Sequence, residues 1–418
     1  MKRFGKVIDT NSYMPGSFLR LVTLITIIVI IPLQLFCDGF VQSKEQTLII
    51  HMQTGWIPCS DWSTEFCHVA IAIPHWVFRT KFVVFSCFAL LLLADSWLAY
   101  KTTLVTCMGI VFISFLQMCF KSGRPFWDVQ DITSNGHCVF DFGGPSESAF
   151  NMTFFWTYVI IMFLFKYYKN PNKIVNWIII VVLLGFWVAN YIFSVYNGMN
   201  YLYQLVLGQM IGFCYLIASL VFDNEIHRYS LRTGFSMRSS RARKFYLFFF
   251  SLGLFIFFLV IFSSMRSTWT MPQDWIVNAN YEDNPCQQEF MTEANNSIGL
   301  NQTFEKSSVI FVVIGMIFAW PFAMLHFSAL QWINTARWKR VVRMILGLSI
   351  AVGAFFFFAW IVSDTNDLAT IFFFGHALPN FLISFFIFGL FPIMCKWMHL
   401  IQKEDQFVEQ FPDLAVPN

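Results

Sequence analysis

Charge is what this sequence has least of. Only 12% of its 418 residues are Asp, Glu, Lys or Arg, and the formal net charge is +3. So few charges do not supply the solvated surface of a soluble domain this size. The small net charge, with no basic–aromatic array beside it, excludes nucleic acid as a partner. Internal repeats, lipidation signals and a retention tetrapeptide are also lacking. No spacing of His, Cys, Asp or Glu asks for a metal, and no cofactor is expected. A cleavable signal peptide is not expected either. The basic N-terminus (Lys2, Arg3, Lys6) leads into an apolar run at 18–36 that is long enough for a signal anchor.

What is present is hydrocarbon. Hydrophobic residues make up 57% of the chain, with 53 Phe, and the charges cluster between long apolar runs. The fold expected is all-α: a polytopic membrane helix bundle of about ten transmembrane helices, with both termini cytosolic. The runs are 18–36, 82–100, 102–120, 148–166, 174–194, 201–222, 245–264, 307–330, 341–362 and 370–394. The second and third are almost fused, so they form either a tight hairpin around Tyr100-Lys101-Thr102 or a single miscounted segment.

Basic residues orient the bundle, because cytosolic loops carry the excess of Lys and Arg. On this reading the inner loops hold Lys101, then Lys166, Lys169 and Lys173, then Arg228 to Lys244, then Arg337, Lys339 and Arg340. The outer loop 265–306 holds two glycosylation sequons, at Asn295 and Asn301. The chain then divides into a cytosolic N-terminus (1–17), an anchor helix with its outer loop (18–81) and a core region (82–222). A basic cytosolic loop (223–244), a four-helix membrane region (245–394) and a cytosolic tail (395–418) follow. Cys37, Cys59, Cys67, Cys138 and Cys286 fall on the outer side, where disulfides form, and Cys59–Cys67 is the simplest pairing. His68 and His75 read as interfacial polar residues, and Asp95 as an acid that snorkels or pairs.

The stretch with most chemistry is Lys121–Ala149, KSGRPFWDVQDITSNGHCVFDFGGPSESA, a polar loop between two apolar runs. Arg124 offers a fork of donors suited to phosphate oxygens. The turn Gly143-Gly144-Pro145-Ser146 feeds a helix and would aim backbone N–H groups at an anion. A second outer turn, Val195–Asn200, precedes a helix carrying Gln204, Gly208 and Gly212. Both lie on the outer side, so their polar residues can share one pocket. The Gly208/Gly212 spacing reads as close helix packing.

Arg-Pro-Phe-Trp, then Cys, then Gly-Pro-Ser at a helix start, then Gly-x-Asn-x-x-x-Gln at the next resembles the type-2 phosphatidic acid phosphatase superfamily. That superfamily includes lipid phosphate, sphingosine-phosphate and glucose-6-phosphate phosphatases, and its signatures are K-x6-R-P, P-S-G-H and S-R-x5-H-x3-D. The resemblance covers about residues 82–222 and implies a helical membrane bundle with an extracytosolic site. It implies phosphoryl transfer to a third-motif His, with a second-motif His as acid and cations on the phosphate oxygens.

The catalytic positions have changed. Gln117 stands where the first-motif Lys belongs, and Lys121 is basic but out of register. Arg124, Pro145 and Ser146 match, but Glu147-Ser148 replaces Gly-His. Asn200 replaces the nucleophilic His, Ser194 (or Val195) the Arg, and Gln204 the acid. An amide has no useful nucleophilicity, and Ser148 has no apparent base. The expectation is a pseudophosphatase of an endomembrane such as the endoplasmic reticulum, or of the plasma membrane, surrounded by membrane lipids. Its phosphate-pocket candidates are Lys121, Arg124, Pro145, Ser146, Ser148 and Asn200, and its expected ligand is a lipid or phosphate headgroup. The alternatives are an active lipid- or sugar-phosphate phosphatase in which His137 substitutes for the lost histidines, and a transporter using Asp95 and His376.

Overall fold

The computed structural model describes residues 41–53, 77–93, 96–132, 139–162, 173–223, 237–279, 298–324, 335–362 and 367–401. Most of them are helical. Among them no strand forms, and the one isolated bridge joins Ser122 to Gly144. In chain order the helices begin with α1 (Gln42–His51), α2 (Thr80–Leu93), α3 (Ser96–Phe120) and the single turn α4 (Pro125–Asp128). Helix α5 (Glu147–Asn151) runs through a π-helical turn (Met152–Trp156) into α6 (Thr157–Ile160). Then come α7 (Lys173–Tyr196), α8 (Leu202–Val221), α9 (Met237–Thr268) and the short α10 (Gln273–Ala279). Helix α11 (Ile298–Glu305) passes through a 3-10 turn (Lys306–Val309) into α12 (Ile310–Met324), and α13 (Arg337–Ile361) follows. The last passage is α14 (Leu368–Thr370), α15 (Leu378–Phe385) and α16 (Phe391–Trp397), joined by π-helical stretches.

Seven of these passages are long and apolar enough to cross a bilayer, and the chain is built as an integral membrane protein. Ten were expected. The anchor at 18–36 lies outside the described residues, as do both chain ends. The run expected at 82–100 is the 14-residue α2, and the run expected at 148–166 is the interrupted α5–α6 passage.

Of the two readings for Tyr100–Thr102, a tight hairpin or a miscount, the hairpin does not form. Helix α3 runs unbroken through those residues, and Lys101 is fully buried inside the bundle rather than exposed on a loop. Helix α2 packs along α3, and Asp95 lies outside the described residues. Lys101 is tolerated because Asp223, just past α8, pairs with it, and Tyr158 donates to the same carboxylate oxygen at 3.3 Å. Two other loops are shorter than expected. Helix α9 begins at Met237, inside the stretch read as a basic loop, and α11 occupies the end of the stretch read as loop 265–306.

The core lies along α3 and α12, and the phenylalanines fill it. Phe262, Phe304 and Phe372 stack in series, with ring centroids 4.2 Å and 4.9 Å apart. Helices α7, α9 and α13 instead turn broad apolar faces outward, as lipid-facing helices do. Of the described cysteines in the spans, Cys87, Cys107, Cys119 and Cys395 are free thiols. Those assigned to the outer side fall outside the described residues.

Helices α5 and α8 meet with almost no space between their backbones. A Cβ on Gly208 would stand 2.2 Å from the Ser146 carbonyl oxygen, and one on Gly212 would stand 3.1 Å from that of Phe150. Only glycine permits this approach, and it brings the Gly-Pro-Ser turn against the head of α8.

Candidate functional site

The loop after α3 and the turn before α8 converge at one end of the bundle. Arg124 precedes α4 in extended conformation and points back into the protein. Its Nε donates to the Asp141 carbonyl at 2.6 Å, Nη1 to the Met199 carbonyl at 2.6 Å, and Nη2 to the Asp141 carboxylate at 2.6 Å. The guanidinium therefore stitches the 121–147 loop to the 195–200 turn, and it is 4% exposed. Its fork is spent on the chain itself.

The other candidates surround it. Gln117, on the last turn of α3, donates to the carbonyls of Phe142 (3.2 Å) and Pro145 (2.9 Å), and its oxygen accepts from Lys306 at 3.2 Å. Pro145 follows a cis peptide bond. The Ser146 and Ser148 hydroxyls lie 3.1 Å apart. Asn200 donates to the Gly143 carbonyl at 2.6 Å and sits 3.4 Å from the Gln204 side-chain oxygen. Gln204 donates to the Gly123 carbonyl (2.7 Å) and the Ser122 hydroxyl (2.9 Å), and accepts from the Tyr201 backbone at 3.1 Å. A side chain on Gly143 would collide with Gln204, so only glycine leaves room for this amide.

Two expectations change. The amides of the Gly-Pro-Ser turn are not left for a ligand: Gly143 N–H donates to the Ser122 carbonyl and Ser146 N–H to the Gln204 carbonyl. The Lys121 ammonium lies over the Trp269 ring, 5.7 Å from its centroid. Ser194 contributes through its backbone, its carbonyl accepting from Met199 and Asn200. His137 is outside the described residues. None of the described bonds of Arg124, Ser148, Asn200 or Gln204 reaches an imidazole.

The structure adds charges that the motifs do not contain. Lys306, in the 3-10 turn between α11 and α12, pairs with both Asp141 and Glu147. Glu147 also accepts from the Thr80 backbone at 3.0 Å and from Asn151 at 3.2 Å. Arg79, immediately before α2, lies within electrostatic reach of Asp141, Glu147 and Arg124. Three cations thus surround two carboxylates. Burial by itself would raise the Asp141 carboxyl, but Arg124, Lys306 and Arg79 together hold it well below the usual carboxylate range. Next to this group His376 stands 3.3 Å from Glu305.

Lys306 and Arg79 carried only a faint sequence signal. Each is a cation at the mouth of an apolar run, with no motif around it.

Helix α1 closes this end. The Glu45 carboxylate accepts from the Tyr203 N–H at 3.2 Å, and Gln42 donates to Asp128 at 2.8 Å. Tyr201 donates to the same Asp128 oxygen at 2.9 Å, and Gln53 reaches the Tyr196 carbonyl at 2.7 Å. Burial raises the Glu45 carboxyl, against the backbone donors of Tyr203 and Leu202.

The second sequon, Asn301-Gln302-Thr303, does not have the form of a glycan acceptor. It lies within α11, where the Thr303 hydroxyl is buried and bonded to the Gly299 carbonyl at 2.8 Å. Asn295 is outside the described residues.

Among the described residues no group of three or more His, Cys, Asp or Glu is placed to hold a metal. Compared with protein-family models, curated proteins and solved structures, the chain matches none.

Proposed function

We propose that this membrane protein is a catalytically silent relative of the type-2 phosphatidic acid phosphatases, acting as a scaffold or headgroup-binding protein. Support comes from the meeting of three stretches that are far apart in sequence. Arg124, Pro145-Ser146 and Asn200–Gln204 carry the resemblance, and they lie against one another at one end of the bundle. The observation that carries the silence is the state of Arg124. All its short bonds run to the chain's own carboxylate and carbonyls, and the positions where that superfamily has histidines hold Ser148 and Asn200. Phosphoryl transfer needs a nucleophile and an acid that titrate near neutrality, and an amide and an unassisted hydroxyl supply neither.

On this reading the pocket faces the lumen or the exterior. The chain ends lie in the cytosol, residues 18–36 anchor a bundle of about ten spans, and Asn295 carries the glycan. The membrane is that of the endoplasmic reticulum or a related compartment.

Phosphate release from phosphatidic acid, sphingosine phosphate and glucose 6-phosphate by the detergent-purified protein tests the reading. No release is expected from wild type. Release by an Asn200→His, Ser148→His variant would add direct support. Robust wild-type release that disappears in His137→Ala would overturn silence and make this a phosphatase with a relocated catalytic group.

A further inference from the structure

Helix α1 is held on the bundle largely by polar side chains. Its buried stripe is Glu45, Ile49 and, just past its end, Met52, the i, i+4, i+7 spacing of one helix face. Two of these are apolar anchors, and the third is a carboxylate where another anchor would stand. Gln42, Gln46 and Gln53 flank the stripe and bond to the Asp128 carboxylate, the Tyr201 hydroxyl and the Tyr196 carbonyl. The opposite face is open, with Lys44, Leu48 and His51 exposed. Among the described helices none packs along the length of α1.

Glu45 is seated on one particular spot. Its two oxygens accept from the Tyr203 N–H at 3.2 Å and 3.4 Å, and the Leu202 N–H donates to it as well. These are first-turn N–H groups of α8, which have no acceptor within their own helix. A carboxylate completes the helix head and suits its positive end. The bonds of Glu45 come from backbone donors rather than from a cation, and burial outweighs them, so its carboxyl is raised.

Beside α8 lies the Val195–Asn200 turn, where the Met199 carbonyl holds Arg124 and Asn200 holds the Gly143 carbonyl. Lifting α1 would uncover that turn and the head of α8 together.

We propose that α1 is a movable cover over the candidate site, latched by the Glu45 carboxylate on the head of α8. The latch responds to pH, and burial sets the sign. Docked Glu45 takes a proton more readily than free Glu45, so docking is firmest as pH falls toward the ordinary glutamate value of about 4.3. Docking weakens as pH rises and the buried carboxyl ionises. The other ionisable groups around it are Asp128 on α4, Tyr201 and Tyr203 at the head of α8, and Lys44 and His51 on α1 itself. The cover does not depend on whether the pocket beneath it is silent.

Hydrogen exchange of the full-length protein in detergent tests this, read on α1 and on the Leu202 and Tyr203 amides, with α3 as the reference. After correction for intrinsic exchange rates, α1 and the two amides should lose protection together, severalfold, between about pH 5 and pH 8, while α3 stays protected. Glu45→Gln keeps an acceptor and removes the titration, so it should hold α1 equally at both values. Ile49→Ala removes an apolar anchor and should loosen α1 at both values, again leaving α3 protected.

Protection of α1 equal to that of α3 at every pH would make it a fixed part of the fold and overturn the proposal. So would a pH response that persists in Glu45→Gln, which would belong to Asp128 or His51. Loosening of α1 that leaves the Leu202 and Tyr203 amides protected would remove the latch. An Ile49→Ala variant in which α3 loosens along with α1 would also end the independent cover. None of these readings uses phosphate release, so failure of the cover and failure of the silent reading are told apart.

Discussion

Helix α3 carries a charge cluster near each end, and they are built on opposite plans. Near its start Lys101 meets Asp223, with 0% and 2% of their side chains exposed. Tyr158 completes the tie between α3, α6 and the end of α8. Charge there balances one for one. Near its end, sixteen residues or roughly 24 Å along the axis, Gln117 borders the larger group of Arg124, Asp141, Lys306, Glu147 and Arg79. That group is partly open, with Lys306 and Glu147 16% and 12% exposed. A closed pair is a strut, whereas a partly open, multiply bonded cluster keeps its charges within reach of solvent.

The largest expected effect is at the strut. Lys101→Met leaves Asp223 buried beside a lost partner and should cost about 3–5 kcal/mol, read as lowered thermal stability in detergent. The double variant Lys101→Met, Asp223→Leu should recover most of that loss, because two apolar groups replace two charges. A double variant as unstable as the single would show that this end depends on the charges themselves.

Arg124→Gln should cost less, about 1–3 kcal/mol. Lys306 and Arg79 still compensate Asp141, and only the bonds to the Asp141 and Met199 carbonyls go unreplaced. If Arg124→Gln proves as damaging as Lys101→Met, the contrast between strut and site collapses.

The smallest effect is in the pH response. The Asp141 carboxyl is depressed in the folded protein, so the folded state binds fewer protons there than the unfolded one. Its stabilising contribution is complete above the unfolded value of about 3.9 and is lost as pH falls below it toward the folded value. Melting curves should therefore show no change from Asp141 between pH 7 and 5, with an acid loss beginning near pH 4. Asp141→Asn should flatten that acid limb. An Asp141-dependent loss above pH 5 would mean that its three cations do not act on it together.

Long apolar runs were readable because a bilayer imposes length and hydropathy on any helix that crosses it. Four passages, α7, α8, α13 and the last, accordingly begin and end within four residues of the runs read from hydropathy. The misplaced loop at Lys101 has a definite cause. Lys101 was treated as a loop charge, but its pair comes from Asp223, 122 residues later, and nothing local in the sequence announces that partner. Gly208 and Gly212 were legible as a packing stripe because spacing alone puts them on one helix face. The polar residues of the 121–147 loop and the 195–200 turn were legible as neighbours because the membrane brings alternate loops to one side.

What the sequence by itself determined is the solvent this protein folds in, its helical class, and the absence of imidazole at the two positions that resemble catalytic ones. Those are properties of composition and of single residues, so they need no knowledge of contacts. Only the tertiary structure decided what Arg124 does. The arginine looked like a free phosphate donor, and it is filled by Asp141, with Lys306 from 182 positions further on holding that carboxylate's other oxygen. An arginine's chemistry is set by whichever acceptors the fold brings within about 3 Å, and that is fixed by how distant helices pack.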